Sequence, residues 1–182
     1  GPFLAPWVRT GPVPLVSSVE PTQHGRPEDA LRRLTHRLVG TESLLVHCGE
    51  ALLRAGHQVV GIVTSTPELS DWARSRDIPV HPSLDTPEAA VPVDVLLSIG
   101  NLPIIPPDAL RLARIGGINF HDGPLPDVGG VNTPAWAILR GEREHGVTWH
   151  WMTDSPDAGG IISQRRFPIS EGDTALTLNT RC

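Results

Sequence analysis

The stretch INFHDGPLP, residues 118–126, places an Asn and a His at the end of an apolar run, just before a loop rich in Gly and Pro. Successive side chains of a strand alternate between its two faces, so Asn119 and His121 point the same way and Phe120 points opposite. A carboxamide is a neutral hydrogen-bond donor, and an imidazole titrates near neutral pH. The pair could therefore hold a negatively charged oxygen and move a proton, whereas an isolated Asn-x-His is more often a structural clasp for the following loop.

The elements around this pair indicate where such chemistry would take place. From Leu34 onward, short apolar runs alternate with helical patterns, which is typical of βα units and a mostly parallel sheet. VDVLLSIG predicts a strand buried on both faces, and IGGINFH predicts the strand that ends at His121. Ligands of open α/β sheets bind at the carboxyl ends of the strands, which is where His121 lies.

The predicted fold is one three-layer α/β domain over residues 34–182, with a mostly parallel sheet and a Rossmann-like first half. Residues 1–33 contain six of the 19 prolines and no sustained period, so they predict an irregular Pro-rich extension. The last segment, DTALTLNTRC, predicts a capped helix that the chain cuts short.

Composition and charge exclude several classes of partner. The chain has 15 basic and 20 acidic residues, a net charge of −5, which gives no reason to expect a nucleic acid or a membrane as partner. No run approaches the about 18 apolar residues of a membrane span, and the N-terminus lacks a signal-peptide pattern. Cys48 and Cys182 lie far apart and form neither a disulfide framework nor a metal spacing, so we predict a cytoplasmic protein.

Several short motifs follow one another in a fixed order along the second half of the chain. They are Asn119-x-His121 at a strand end, Leu125-Pro126, Gly130 with Pro134, Ala137-Ile138, Gly141-Glu142, Gly146 to His150, and Asp157-x-Gly159. In this order the chain resembles the formyltransferase family that uses 10-formyltetrahydrofolate and includes glycinamide ribonucleotide and methionyl-tRNA formyltransferases. Two departures affect loops only: Gly160 stands where the family commonly has Asp, and residues 132–134 read Asn-Thr-Pro rather than Asn-Pro-Thr.

The resemblance implies a set of site residues and a formyl donor. The expected catalytic residues are Asn119, His121 and Asp157, and the expected folate-binding residues are Asn101, Leu102, Ile104 and Gly130. The donor is then 10-formyltetrahydrofolate, which acts as a co-substrate.

Formyl transfer to an amine explains these residue types. The reaction passes through a tetrahedral intermediate whose oxygen gains negative charge while the attacking nitrogen becomes cationic. Asn119 would hold the oxyanion, and losing such a donor typically costs about 10²–10³ in rate. His121 would take the proton from the amine, and Asp157 would orient the imidazole and relay the proton through water.

Within the family, the chain looks most similar to the formyltransferase domains at the start of nonribosomal peptide synthetases and related assembly lines, through INFHDGPLP, GEREHGVTWHWMT and DTALTLN. This resemblance implies an amine acceptor that is an amino acid or an aminoacyl group on a carrier protein, in natural-product biosynthesis. Adenylation and carrier domains of a longer chain are then the implied neighbours. A free hydroxylamino acid and an amino sugar are further candidate acceptors.

Other functions agree less well with the motifs. The first βα turn has one glycine where the dinucleotide fingerprint needs Gly-x-Gly-x-x-Gly, and the chain lacks the Gly-x-Ser-x-Gly elbow of a serine hydrolase. The main alternative is a degenerate formyltransferase-like module that docks or binds a ligand without turnover. His145 and His150 have no standard ligand spacing with Asp157, so no metal site is predicted. Asp122 either contacts the substrate or begins the Gly-Pro turn.

Overall fold

The structure, a computed structural model, describes residues 33–182. Within them the chain divides into two compact units, residues 33–117 and residues 118–182. The Pro-rich extension predicted for residues 1–33 lies outside the described residues, except for its last position.

Residues 33–117 form a parallel sheet with helices between its strands. The elements are β1 (Thr35–Val39), α1 (Leu44–Arg54), β2 (Gln58–Val63), α2 (Pro67–Arg74), β3 (Val80–His81), β4 (Val93–Ile99) and α3 (Pro107–Arg111). Strand β1 pairs in parallel with β2 and β4, and β2 pairs in parallel with β3. Every residue of β4 is buried, as its continuous apolar run predicts for a strand covered on both faces.

Residues 118–182 form an antiparallel ladder with two helices. The elements are β5 (Ala113–His121), which begins in the first unit, then α4 (Thr133–Arg140), β6 (Glu144–Trp151), β7 (Ile161–Pro168) and α5 (Ala175–Arg181). Strand β6 pairs antiparallel with both β5 and β7. The seven strands are hydrogen-bonded in the order β3-β2-β1-β4-β5-β6-β7. The predicted α/β fold with a mostly parallel, Rossmann-like sheet is confirmed.

The helix ends follow local sequence signals. Pro67 and Pro107 lie in the first turns of α2 and α3. Proline suits these positions because N–H groups in the first turn of a helix have no intrahelical acceptor. Thr174 caps α5 through a capping box with Thr177, so the predicted capped helix is confirmed. Ser43 precedes α1 but makes no side-chain capping bond. Across residues 33–182, no helix has the length and apolar character that spanning a membrane requires.

Strand β6 begins earlier than the sequence predicts. The run GVTWHWMT predicts a start at Gly146, whereas the strand starts at Glu144. The reason is tertiary, because Glu144 pairs with Pro168 and His145 pairs with Phe167 of β7. The extension brings His145 into the sheet, where its side chain is only 1% exposed.

Candidate active site

The predicted polar pair lies at the carboxyl end of β5, on one face of the strand. In the antiparallel register with β6, Asn119 lies opposite His150 and His121 lies opposite Thr148. Phe120, between the pair, instead packs its ring edge-on against Trp149, with 5.1 Å between the ring centroids. The alternation of side chains along this strand therefore positions Asn119 and His121 together.

His121 is buried, and its two ring nitrogens have different environments. Its side chain is 5% exposed, and Nε2 lies 2.8 Å from the carbonyl oxygen of Val128. Because a carbonyl can only accept, Nε2 must bear the hydrogen and Nδ1 is left as the proton-accepting atom. Nδ1 lies 3.7 Å from Asp157 Oδ1 and 3.9 Å from Asp122 Oδ1. Nδ1 is therefore the ring nitrogen of His121 that can accept a proton, and it faces two carboxylates.

Asp157 reaches this cluster from the loop between β6 and β7. The loop returns on itself through a bond from Trp151 N to the Gly160 carbonyl at 2.9 Å, and Asp157 adopts a left-handed backbone with φ 55°. Its Oδ2 accepts a hydrogen bond from the Gly130 N–H at 2.8 Å. Gly130, predicted to bind folate, thus contacts the Asp157 carboxylate through its backbone.

His150 is a member of the cluster that the predicted site residues did not include. Its Nε2 lies 3.1 Å from Asn119 Nδ2 and 3.7 Å from Asp157 Oδ1, and its side chain is 2% exposed. Burial lowers the pKa of His150 below its usual range, with the carbonyl of Trp151 and the charge of Asp157 acting in the opposite direction. The sequence feature that could have identified His150 is the strand alternation in GVTWHW, which aligns Thr148 and His150 on one face.

The predicted triad is therefore joined partly through His150. Asp157 Oδ1 lies 3.7 Å from a ring nitrogen of each of His121 and His150. Asn119 contacts His150 and forms no hydrogen bond with His121 or Asp157 in the described chain. No group of three or more metal-ligand side chains is arranged to hold a metal ion anywhere in residues 33–182.

Asp122 is held by its backbone while its side chain faces His121. The Asp122 carbonyl accepts bonds from the Thr133 hydroxyl and from His145 Nε2, the latter at 2.8 Å. Because a carbonyl can only accept, the His145 ring donates to it from Nε2, and burial lowers the pKa of His145. Both interpretations of Asp122 thus have a structural counterpart: its carbonyl anchors the turn, and its carboxylate lies near His121 Nδ1.

Thr148 is fully buried and holds the loop between β5 and α4 through hydrogen bonds to its backbone. The Thr148 hydroxyl accepts from Leu125 N at 3.1 Å and from Gln164 Nε2 at 3.0 Å, and it donates to the Gly123 carbonyl at 2.7 Å. Gln164 Nε2 also donates to the Leu125 carbonyl at 2.6 Å. This loop supplies the carbonyl that binds His121 and the N–H that binds Asp157. Thr148 therefore supports both predicted site residues through the loop, without a hydrogen bond to either side chain.

Replacing Thr148 by Val tests this support. The substitution keeps the shape but leaves Leu125 N and the Gly123 carbonyl without their buried partner, so the free energy of unfolding should fall by about 1–3 kcal/mol for each group. Urea denaturation measures the loss. The control is Thr180→Val, because Thr180 is exposed on α5 and bonds only the Leu176 carbonyl of its own helix. Equal stabilities of the two variants would contradict the buried network.

The other three predicted folate-binding residues belong to residues 33–117. Asn101, Leu102 and Ile104 follow the carboxyl end of β4. Leu102 is 80% exposed and Ile104 is 76% exposed, while Asn101 Nδ2 donates to the Pro103 carbonyl at 2.8 Å. This segment therefore exposes two apolar side chains on a turn that a hydrogen bond from Asn101 to Pro103 stabilises.

Comparison with known proteins gives the family. The sequence matches the formyl transferase family over residues 50–182. It is 31% identical to the methionyl-tRNA formyltransferase of Pelotomaculum thermopropionicum over 160 residues, which are 78% of this chain and 51% of that protein. It is 39% identical to the GDP-perosamine N-formyltransferase of Brucella melitensis over 85 residues, 47% of this chain and 33% of that protein. The chain thus spans about half the length, or less, of these relatives.

Solved structures share the fold. The phosphoribosylglycinamide formyltransferase of Anaplasma phagocytophilum superimposes with a TM-score of 0.71 at 24% identity, covering 82% of this chain and 79% of that chain. A formyltetrahydrofolate deformylase of Pseudomonas syringae pv. tomato gives 0.68 at 23% identity, covering 82% and 56%. At these identities the likeness shows the fold. The match over residues 50–182 places this chain in the formyl transferase family.

Proposed function

We propose that the protein transfers a formyl group from 10-formyltetrahydrofolate to an amine. The observation that supports this most is the arrangement around His121 Nδ1. This nitrogen is free to accept a proton, the Asp157 carboxylate lies 3.7 Å from it, and a carboxamide donor projects from the same strand face two residues earlier. Acyl transfer to an amine needs these three functions, a base, a charge partner and an oxyanion donor.

The proton path begins at the attacking amine. As the amine nitrogen bonds to the formyl carbon it becomes cationic, and His121 Nδ1 accepts its proton. The imidazolium that forms keeps its Nε2 hydrogen bond to Val128 and is stabilised by Asp157. When the tetrahedral intermediate collapses, the bond from carbon to the donor nitrogen breaks, and that nitrogen receives a proton from the imidazolium, directly or through water.

Asn119 is proposed to stabilise the negative charge of the intermediate. A carboxamide has two N–H groups, and one of them is used by His150. The second can donate to the oxygen of the former formyl group. Since such donors act most strongly on the charge that develops in the transition state, Asn119 contributes mainly to turnover rather than to substrate affinity.

The donor's ring system would bind the segment after β4. Leu102 and Ile104 offer exposed apolar side chains that suit a flat ring, and Asn101 offers polar atoms beside them. The resemblance to folate-dependent formyltransferases supports this assignment, and a formyltetrahydrofolate deformylase shares the fold.

The acceptor is proposed to be an amino acid or an aminoacyl group on a carrier protein, in natural-product biosynthesis. The support is the likeness of INFHDGPLP, GEREHGVTWHWMT and DTALTLN to assembly-line formyltransferase domains. Adenylation and carrier domains are the corresponding partners, and residues 34–182 are the proposed catalytic domain after a Pro-rich extension. Two free thiols, Cys48 and Cys182, agree with a reducing, cytoplasmic location.

A folate-binding experiment distinguishes the proposed formyltransferase from a degenerate module that docks without turnover. A ligand that binds only the folded protein raises the free energy of unfolding by about 2.7 kcal/mol at about 100 times its Kd. We expect tetrahydrofolate to raise the melting temperature of the wild type, and Ile104→Asp to abolish the increase. The control is Leu139→Asp on α4, which is 76% exposed like Ile104. A melting temperature that folate leaves unchanged, with no transfer of formyl, would favour the docking module.

A further inference from the structure

We propose that His150 is a positioning residue that fixes the orientation of the Asn119 carboxamide, so that an N–H group rather than the carbonyl faces the substrate. The inference rests on the proposed formyl transfer and extends it to a residue outside the predicted catalytic set. It depends on two hydrogen bonds of one buried ring, Nε2 to Asn119 at 3.1 Å and Nδ1 to the Trp151 carbonyl at 2.9 Å.

The direction of the two bonds follows from what each partner can do. A backbone carbonyl only accepts, so His150 Nδ1 bears a hydrogen and donates to Trp151. A neutral imidazole has one N–H, so Nε2 then presents a lone pair. Asn119 must therefore donate to it through Nδ2, and the carbonyl contact at one end of the ring sets the amide orientation at the other end.

Burial favours this neutral state of the His150 ring. Its side chain is 2% exposed, and desolvation is the main cause that lowers its pKa. A charged ring would donate from both nitrogens, and it would then favour the opposite amide orientation, with Asn119 Oδ1 toward Nε2. The Asp157 carboxylate lies 3.7 Å from Nε2, beyond hydrogen-bond reach, so it does not replace Asn119 as the partner.

The orientation matters because the two ends of a carboxamide have opposite polarity. With Nδ2 on His150, the second N–H of the same group remains available for an oxyanion. With the amide reversed, Oδ1 takes the position of Nδ2 beside His150, so a carbonyl oxygen replaces the N–H group that would face the oxyanion, and the stabilisation of the developing charge is lost. His150 would therefore act on turnover through Asn119 while leaving the affinity for ground-state substrates unchanged.

A pair of substitutions separates the two ends of the ring. In His150→Gln the amide lies where Nε2 was, and its oxygen can accept from Asn119. In His150→Asn the amide lies where Nδ1 was, and its N–H can bond Trp151 but leaves Asn119 without an acceptor. We expect the Gln variant to keep most of the turnover. The Asn variant should approach the loss of about 10²–10³ in kcat expected for removing the oxyanion donor, with KM unchanged.

A double-mutant cycle shows whether the effect passes through Asn119. If His150 acts only by orienting that amide, His150→Asn should cost nothing further in the Asn119→Ala background. Losses that add in full, or a Gln variant as impaired as the Asn variant, would overturn the proposal, because both indicate a role that does not depend on the acceptor at Nε2.

Nitrogen-15 NMR of the wild type tests the inference without any variant and without turnover. We expect His150 to be neutral at pH 7 with its hydrogen on Nδ1, and one Asn119 amide proton to be shifted by its bond to the ring. A cationic ring, or a hydrogen on Nε2, would overturn the proposal. Because these signals do not depend on catalysis, absence of formyl transfer with the expected tautomer would count against the proposed function only.

Discussion

Replacing His121 by Gln should reduce formyl-transfer turnover by about 10²–10⁴, the usual range for a lost general acid–base group. The Gln amide lies where Nε2 lies and can still donate to the Val128 carbonyl, which is 2.8 Å from that nitrogen. The fold and the loop are therefore kept while the proton-accepting Nδ1 is removed. The measurement is kcat, with the melting temperature and folate binding recorded beside it.

The control for this change is His47→Ala, because His47 is an exposed histidine on α1. Its variant should match the wild type in turnover and stability. A His121→Gln enzyme that remains folded, binds folate and turns over like the His47 variant would show that no proton passes through His121.

Replacing Gly159 by Ala should also lower turnover by about 10² or more, although Gly159 has no side chain that could take part in the reaction. A Cβ on Gly159 would collide with the carbonyl oxygen of Trp151. That carbonyl also accepts the bond from His150 Nδ1, and the same loop positions Asp157. The collision must therefore displace the loop or the end of β6, and misplacement by about 1 Å typically costs about 10² in rate.

Gly172→Ala is the matched control, because an added Cβ there meets no atom within 4 Å. It should leave kcat unchanged. Asp157→Asn tests the carboxylate charge alone, because Asn has nearly the same size as Asp. We expect its loss in kcat to be similar to that of Gly159→Ala, in which the Asp157 carboxylate is displaced. If Gly159→Ala turned over as fast as Gly172→Ala, the close packing of Gly159 against the Trp151 carbonyl would not matter for the site.

The sequence predicted those parts of the fold and the site that depend on local periodicity. The alternation of IGGINFH placed Asn119 and His121 on one face, and the uninterrupted run of β4 predicted a buried strand, which the structure confirms. The alternation of apolar runs and helical patterns from Leu34 onward also predicted the βα units that the structure contains. These features follow from periods of 2 and 3.6 residues and from turn residues, which a single sequence displays.

Features that depend on tertiary pairing could not be predicted in the same way. The start of β6 at Glu144 depends on its partner β7, and the contact of His150 with Asn119 depends on the β5–β6 register. The bond from Gly130 N to Asp157 joins two loops 27 residues apart. No local pattern specifies a register or a loop-to-loop bond, because both are selected by the packing of the whole ladder.

Transfer of a labelled formyl group tests the proposed function of the protein. The wild type and His121→Gln are incubated with 10-formyltetrahydrofolate carrying carbon-13 in its formyl group, and with amino acids, an aminoacyl carrier protein, a hydroxylamino acid and an amino sugar. Mass spectrometry then follows the label. We expect a labelled formamide on one of these amines with the wild type and almost none with the variant. Folate binding without labelled product on any acceptor, or equal product from both proteins, would contradict the proposed function.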